Sequence, residues 1–478
     1  MSQKFPISKL TLALLTLPVA SLTHAAGIDR SGQDIKGFFN DGTYAEIDFA
    51  YLKTDISGHD NAGKLATIDG KDYYANITKT GADYVKGNST GNISKDAYSF
   101  MRYGVKTDLN DMVSVGLFYD EPYGAEVRYE GENAFVSKKG ELTLADPGGK
   151  RINPVTEEEE IVPPSIVPNE FINENIDKDG YDTGTNVRLH TESWTGLVGF
   201  KSPDGFQIYG GPVLQKVEAK VNLRGTAYGP LSGYDANVNH DTAFGWVAGV
   251  GYSKPEIALK ANLTYRSEID HKTKVSEYIP LLENELLKGK VLEKLEIDPN
   301  SELAKAVSPR ANARAKVTTP ESVNFNFETG LSAKHQLLGT LDVRWVPWSD
   351  FSIVPPLYNA YSKAAVDGGL PLLDYKDDQW KVDIGLAKRF NEKLAGSVVV
   401  GWDSGAGDPV SSLGPVEGYY SIGGGVKYNI TPEWAISAGG KYLKFGDATG
   451  KLPNDSIVSK FQDNDGYVLG AKLSYHSK

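Results

Sequence analysis

Apolar and polar side chains alternate one by one along this chain, in segment after segment from residue 43 almost to the C-terminus. Tyr-Ala-Glu-Ile-Asp-Phe-Ala-Tyr-Leu at 44–52 sets Ala45, Ile47, Phe49 and Tyr51 against Glu46 and Asp48. The same period of two, the mark of a strand with one wet and one dry face, returns further on. Leu259, Ala261, Leu263 and Tyr265 oppose Lys260, Asn262, Thr264 and Arg266. Val323, Phe325 and Phe327 oppose Asn324 and Asn326, and Tyr467, Leu469, Ala471, Leu473 and Tyr475 oppose Lys472 and Ser474. Soluble sandwiches alternate in the same way, so the period alone leaves the choice of all-β fold open.

The connections narrow it. Tight turns fall around Asn110-Asp111, Pro203-Asp204-Gly205, Pro255-Glu256, Lys334-His335, Asn391-Glu392-Lys393 and Thr431-Pro432-Glu433. Between them lie long connections, roughly 58–94, 132–187, 224–241, 277–320, 353–378, 405–417 and 449–464. Short turns alternating with long loops belong to outer-membrane barrels, which also take an even number of strands. Fourteen segments are expected, each longer than the ~9–11 residues a tilted strand needs to cross the hydrocarbon. Tyr44, Tyr51, Trp345, Trp348, Trp380, Trp434 and Tyr475 fall at strand ends, where interfacial girdles are built. The fold class is thus all-β, a fourteen-stranded antiparallel transmembrane β-barrel.

The N-terminus agrees. Lys4 and Lys9 precede the apolar run LTLALLTLPVASL, and Thr23-His24-Ala25 offers a small-residue cleavage site. That is the pattern of a secretory signal peptide over residues 1–25. Removing its two lysines would take the net charge from −12 to about −14. Such an acidic chain lacks the basic face that nucleic acid requires. There is no cysteine, which excludes disulfides and thiolate metal sites. The seven histidines are scattered, without a Gly-x-Ser-x-Gly elbow or a His-Glu-x-x-His motif, so no enzyme is expected, and no metal or other cofactor.

One strand breaks its own rule. In GLFYDEPYGAEVRY, residues 116–129, the alternation is interrupted by Asp120, Glu121, Pro122 and Gly124. Proline cannot donate to a ladder and is confined to edges and bulges. Taken alone, the interruption reads as a bulge that bends the wall.

A succession of stretches resembles the FadL/TodX family of outer-membrane transporters of long-chain fatty acids and other hydrophobic compounds. These are DGTYAEIDFAYLKTDISG, FYDEPYGAEVRY, YGGPVLQKVEAKVNLRGTAYG, PEIALKANLTYRSEIDH, TPESVNFNFETGLSAK, VRWVPWSDFSI and YSIGGGVKYNITPEWAISAGGKYLKFGDA. The resemblance runs from about Gly27 to the last strand and implies fourteen strands, a monomer and a plugged lumen. Residues 26–42 would form a short plug (hatch), with Ile28, Ile35, Phe38 and Phe39 as its apolar part, inside a barrel spanning 43–478. The Asn-Pro-Ala motif of longer hatches is missing. The family's third strand kinks inward, so the resemblance turns the Asp120–Gly124 interruption into a lateral door. Apolar solutes gain from such a door, because returning to water costs about 0.8 kcal/mol per CH₂.

Function follows as an expectation: passive uptake of hydrophobic molecules, long-chain fatty acids first, with a general diffusion porin as the alternative. Arg266 and Arg344, among inward charges that also include Glu268, are candidates for a passenger's carboxylate. A mutually paired lumen network is the more ordinary reading of such charges. Leu287, Val291 and Leu295 recur at helical spacing in loop 277–320 and would form an extracellular apolar groove, with a second helix starting near Asp298. The glutamate run in loop 132–187 would be a solvated loop or a divalent-cation site shared with lipopolysaccharide. Other expected partners are outer-membrane lipid and, through Tyr475, the barrel assembly machinery.

Overall fold

The computed structural model describes residues 28–477 apart from 63, 69–70, 75–83, 147–148, 153–158, 163–164, 303, 305–306 and 364–365. The signal peptide and the start of the glutamate run lie outside the described residues. Fourteen strands form one antiparallel sheet that closes on itself. They are β1 (Thr43–Asp55), β2 (Tyr98–Asp108), β3 (Val113–Asp120 with Gly124–Arg128), β4 (Asn186–Lys201), β5 (Phe206–Asn222) and β6 (Asp235–Lys254). Next come β7 (Leu259–Arg266 with Ile269–Tyr278), β8 (Arg310–Thr319 with Ser322–Ser332), β9 (Leu337–Val346) and β10 (Gln379–Arg389). The last are β11 (Leu394–Asp403), β12 (Glu417–Asn429), β13 (Trp434–Gly446) and β14 (Asp465–Ser477). Closure comes from β1 on β14, in register from Thr43↔Ser477 to Asp55↔Asp465.

Closing the sheet leaves a continuous apolar outside. Ile47, Phe49, Phe200, Ile208, Phe244, Val250, Ile384, Val398, Ile422 and Ile436 are all exposed. A water-soluble protein does not present such a belt; a barrel in lipid must, and closure leaves the sheet without a continuous open edge. No helix among the described residues is long and apolar enough to cross a membrane.

Five expectations are corrected. Tyr44 and Trp348 do not join the girdle. Tyr44 shares the inward parity of Glu46 and donates to its Oε2 at 2.8 Å. Trp348 follows Pro347 into a turn that folds inward, where its indole donates to Gln379 at 2.7 Å. Glu268 is exposed, because it sits in a break of β7 rather than on the inner face. The loop expected over 277–320 shrinks to 279–309, since β7 and β8 continue as a paired ribbon past their breaks. The loop expected over 132–187 runs from 129 to 185.

Candidate functional site

Residues 28–42 enter the lumen and meet the wall at two levels. Low in the barrel, Ile35, Phe38 and Phe39 are buried against Phe118, Leu197, Tyr209, Val213, Val247 and Ile269. Phe38 and Phe39 both pack on the Tyr209 ring, at 5.9 and 5.1 Å between centroids. Higher up, Ile28 joins Tyr123, Val346, Trp348 and Phe351 in an apolar layer across the lumen. Tyr123 reaches the far wall, where its hydroxyl donates to the Pro320 carbonyl at 3.3 Å and its ring meets Trp348 edge-on at 5.6 Å.

The interruption in β3 and the plug are one construction. The strand leaves its neighbour β2 past Tyr119, its ladder with β4 is interrupted between Asp120 and Gly124, and its backbone groups there find other partners. The Arg30 N–H donates to the Pro122 carbonyl at 2.7 Å, and the Gly124 N–H donates to the Ile28 carbonyl at 2.8 Å. On the other side the Thr191 hydroxyl takes the Tyr123 N–H at 2.8 Å and gives its own hydrogen to the Tyr123 carbonyl at 2.7 Å. Ser31 donates to Asp120 at 2.6 Å. The ladder bonds lost at the proline are therefore replaced rather than left open, as a buried backbone demands.

A window in the wall results. β2 and β3 pair from Tyr103↔Tyr119 down to Asp108↔Ser114 and not above. Upper β2 pairs with β1 alone, and upper β3 with β4 alone. The window ends at the top where the Arg128 N–H donates to the Ile93 carbonyl at 2.9 Å. Its sill is aromatic: Tyr103 stacks on Tyr119 at 4.6 Å, with Trp194 against both. Arg30 fills the opening from inside, its guanidinium 4.0 Å above the Tyr98 ring. It occupies the space where Gly124 has no side chain; a Cβ there would lie 2.1 Å from the Arg30 Cζ. Burial pushes the Arg30 pKa down, opposed by Tyr98, Glu121 and Glu126. Glu121 also accepts from the Met101 N–H at 3.4 Å, across the window.

Apolar cavities lead to this window. A groove of about 370 Å³ opens among the extracellular loops, in the size range of small-molecule pockets. Leu287 and Val291 of the helix α1 (Glu285–Lys294) line it, with Leu144, Leu223, Leu281 and one lysine, Lys290. Leu295 packs against its surrounding core. Leu372 and Leu413 border both this groove and a second cavity of about 100 Å³. That second cavity is lined by Ile28, Tyr98, Gly124, Val127, Leu189 and Tyr375, so it ends at the window.

Below the window the lumen is polar and paired. Arg344 holds the plug through Asp29 at 2.5 Å, Gln33 at 3.2 Å and the Gly32 carbonyl at 3.3 Å. Arg266 donates to Thr195 at 3.0 Å and to the Gln33 carbonyl at 3.3 Å. Both guanidiniums thus serve the plug and stand apart from the apolar cavities. Arg102 bridges Asp34 (3.3 Å) and Asp48 (3.1 Å), Lys472 bridges Glu46 (2.8 Å) and Asp48 (3.2 Å), and Lys36 pairs with Asp342 at 2.9 Å. Sequence reasoning missed Arg30, though it is the one arginine in segment 26–42 and lies close before the paired Asp34. The helix expected near Asp298 has its side-chain-capped turn, Asp298 accepting from the Asn300 N–H at 2.9 Å; residues 303, 305 and 306 lie outside the described ones.

No protein-family model matches the sequence, and no curated protein matches it. Solved structures do match in shape. A Pseudomonas aeruginosa FadL homologue superimposes with a TM-score of 0.63 at 15% identity, over 97% of this chain and 99% of that one. The Pseudomonas putida toluene transporter TodX gives 0.50 at 11% identity, over 92% and 91%. A likeness this complete at so low an identity concerns the backbone, and by it the chain shares the fold of these two proteins: a fourteen-stranded antiparallel barrel with an N-terminal segment in its lumen.

Proposed function

We propose that this protein is a passive outer-membrane channel for hydrophobic molecules, long-chain fatty acids first among them. The observation that carries the reading is the course of the apolar cavities. They run from the loop groove to the β2–β3 window and stop there, above a lumen filled by charge pairs and the plug. An apolar passenger would lose about 25 cal/mol for every Å² re-exposed to water below that level. Leaving sideways into lipid avoids the loss. Lys290 at the groove supplies a cation for a carboxylate head. The similar structures support the same class of passenger, since one is named a toluene transporter.

The test is uptake of radiolabelled oleate and toluene by cells lacking their own transporter. Wild type is compared with a variant whose 120–124 segment is rebuilt as regular alternating strand. Oleate uptake is expected to collapse in a rebuilt barrel that still inserts. Undiminished uptake would reduce the kink to a bulge. A wild type that takes up neither compound but conducts salt freely in planar bilayers would instead be a diffusion porin.

A further inference from the structure

Above the breaks in β7 and β8, the outer face of the barrel changes chemistry. Below them the outward residues are apolar: Leu263 and Tyr265 on β7, Val323, Phe325 and Phe327 on β8. Two residues on each strand, 267–268 and 320–321, stand outside the ladder, and the parity of the outward positions then flips. Past the flip the exposed residues are Asp270, Lys272 and Lys274 on β7, and Arg310, Asn312, Arg314 and Lys316 on β8. Lys272 stands directly opposite Lys316, and Lys274 directly opposite Arg314.

Like charges directly opposed across strands destabilise a ribbon, so this arrangement works against the fold unless something outside answers it. The protein elsewhere is acidic, at −12 overall. Nearby carboxylates answer only part: Asp270 pairs with Lys316 at 2.9 Å, and Glu283 with Arg310 at 3.5 Å. Lys272, Lys274 and Arg314 have no carboxylate within ion-pair distance among the described residues. Opposed side chains lie about 5 Å apart at Cβ, and successive pairs about 7 Å apart along the strands. Four cations thus cover a patch of phosphate dimensions. It lies beyond the break from Tyr265 on β7, which meets Trp246 at 5.1 Å with the rings tilted, a pair of the kind that marks the membrane interface.

We infer that the outward face of the upper β7–β8 ribbon binds the phosphorylated headgroup of an anionic outer-leaflet glycolipid. The acyl chains would lie on the apolar lower half of the same two strands, and the phosphates would sit among Lys272, Lys274, Arg314 and Lys316. This depends on the barrel standing in a membrane and not on what it transports.

Native mass spectrometry of the full-length barrel in detergent tests it, with bis-phosphorylated lipid A and the same lipid stripped of phosphate as probes. Wild type is expected to retain the phosphorylated lipid and release the stripped one. K272Q/K274Q/R314Q should weaken retention about tenfold or more, the loss of charge-assisted contacts, while K272R/K274R keeps it. Equal retention of both lipids, or no retention of either, overturns the inference on wild type alone, whatever the variants do. Displacement of the lipid by millimolar inorganic phosphate would also overturn it, as a site for free anions. A folded glutamine variant that binds like wild type would show that acyl contacts suffice.

Discussion

Gly124 carries the junction of plug and wall because the space a side chain would take is already occupied by the Arg30 guanidinium. Arginine is a flexible neighbour, so Gly124→Ala should fold and displace the guanidinium from the Tyr98 ring. Passenger flux into the membrane is then expected to rise severalfold in the oleate assay, an estimate that follows from losing an interaction of about 0.5–2 kcal/mol at the opening. Flux equal to wild type would remove Arg30 from any gating role. At the other end of the route, Lys290→Ala is expected to raise the apparent KM for oleate and leave toluene untouched, with Lys290→Arg close to wild type. A variant that impairs both compounds alike would make Lys290 a packing residue. Sequence reasoning reached the loop residues Leu287 and Val291 because helical spacing is local. It could not separate Arg266 and Arg344 from the other inward cations, because which charge meets which carboxylate depends on the plug threading between them.

The broken strands show how far an element can be read from its own residues. Pro122 and Gly124 in β3, and Pro320 in β8, are visible interruptions, and each coincides with a break in the ladder. What replaces the missing bonds is not visible. Thr191 satisfies both polar groups of Tyr123 from the neighbouring strand. Thr191→Val should therefore strand a buried N–H and carbonyl and cost about 1–3 kcal/mol each if no water enters. The measurement is the unfolding midpoint of the refolded barrel in urea; an unchanged midpoint would mean that the kink is held by the plug alone. The break in β7 leaves no mark in its own residues. It removes two residues from pairing on both strands at once, so no extra residue betrays it, and an unbroken alternation points Glu268 inward where the parity has already flipped.

For the molecule as a whole, the proposed function makes the plug the barrier and the wall the exit. Deleting residues 28–42 should leave a folded barrel whose lumen admits ions, seen as a stepwise rise in conductance in planar bilayers. Conductance as low as the intact protein's would mean that the loops and the Tyr123–Trp348 layer close the pore without it. The strand number, the turns on one side and long loops on the other, and the dry outer face all follow from patterns of two to fifteen residues, and each was legible along the chain. They are legible because a strand in lipid must alternate, and because a chain crossing a membrane must turn tightly or loop widely at each end. The pairing of Ile28–Arg30 with the kink, the Arg30–Tyr98 contact in the window and the cation ribbon on β7–β8 join residues tens of positions apart. Those were decided only when the barrel closed, since closure alone sets which inward charge faces which, and where a broken strand finds its hydrogen bonds.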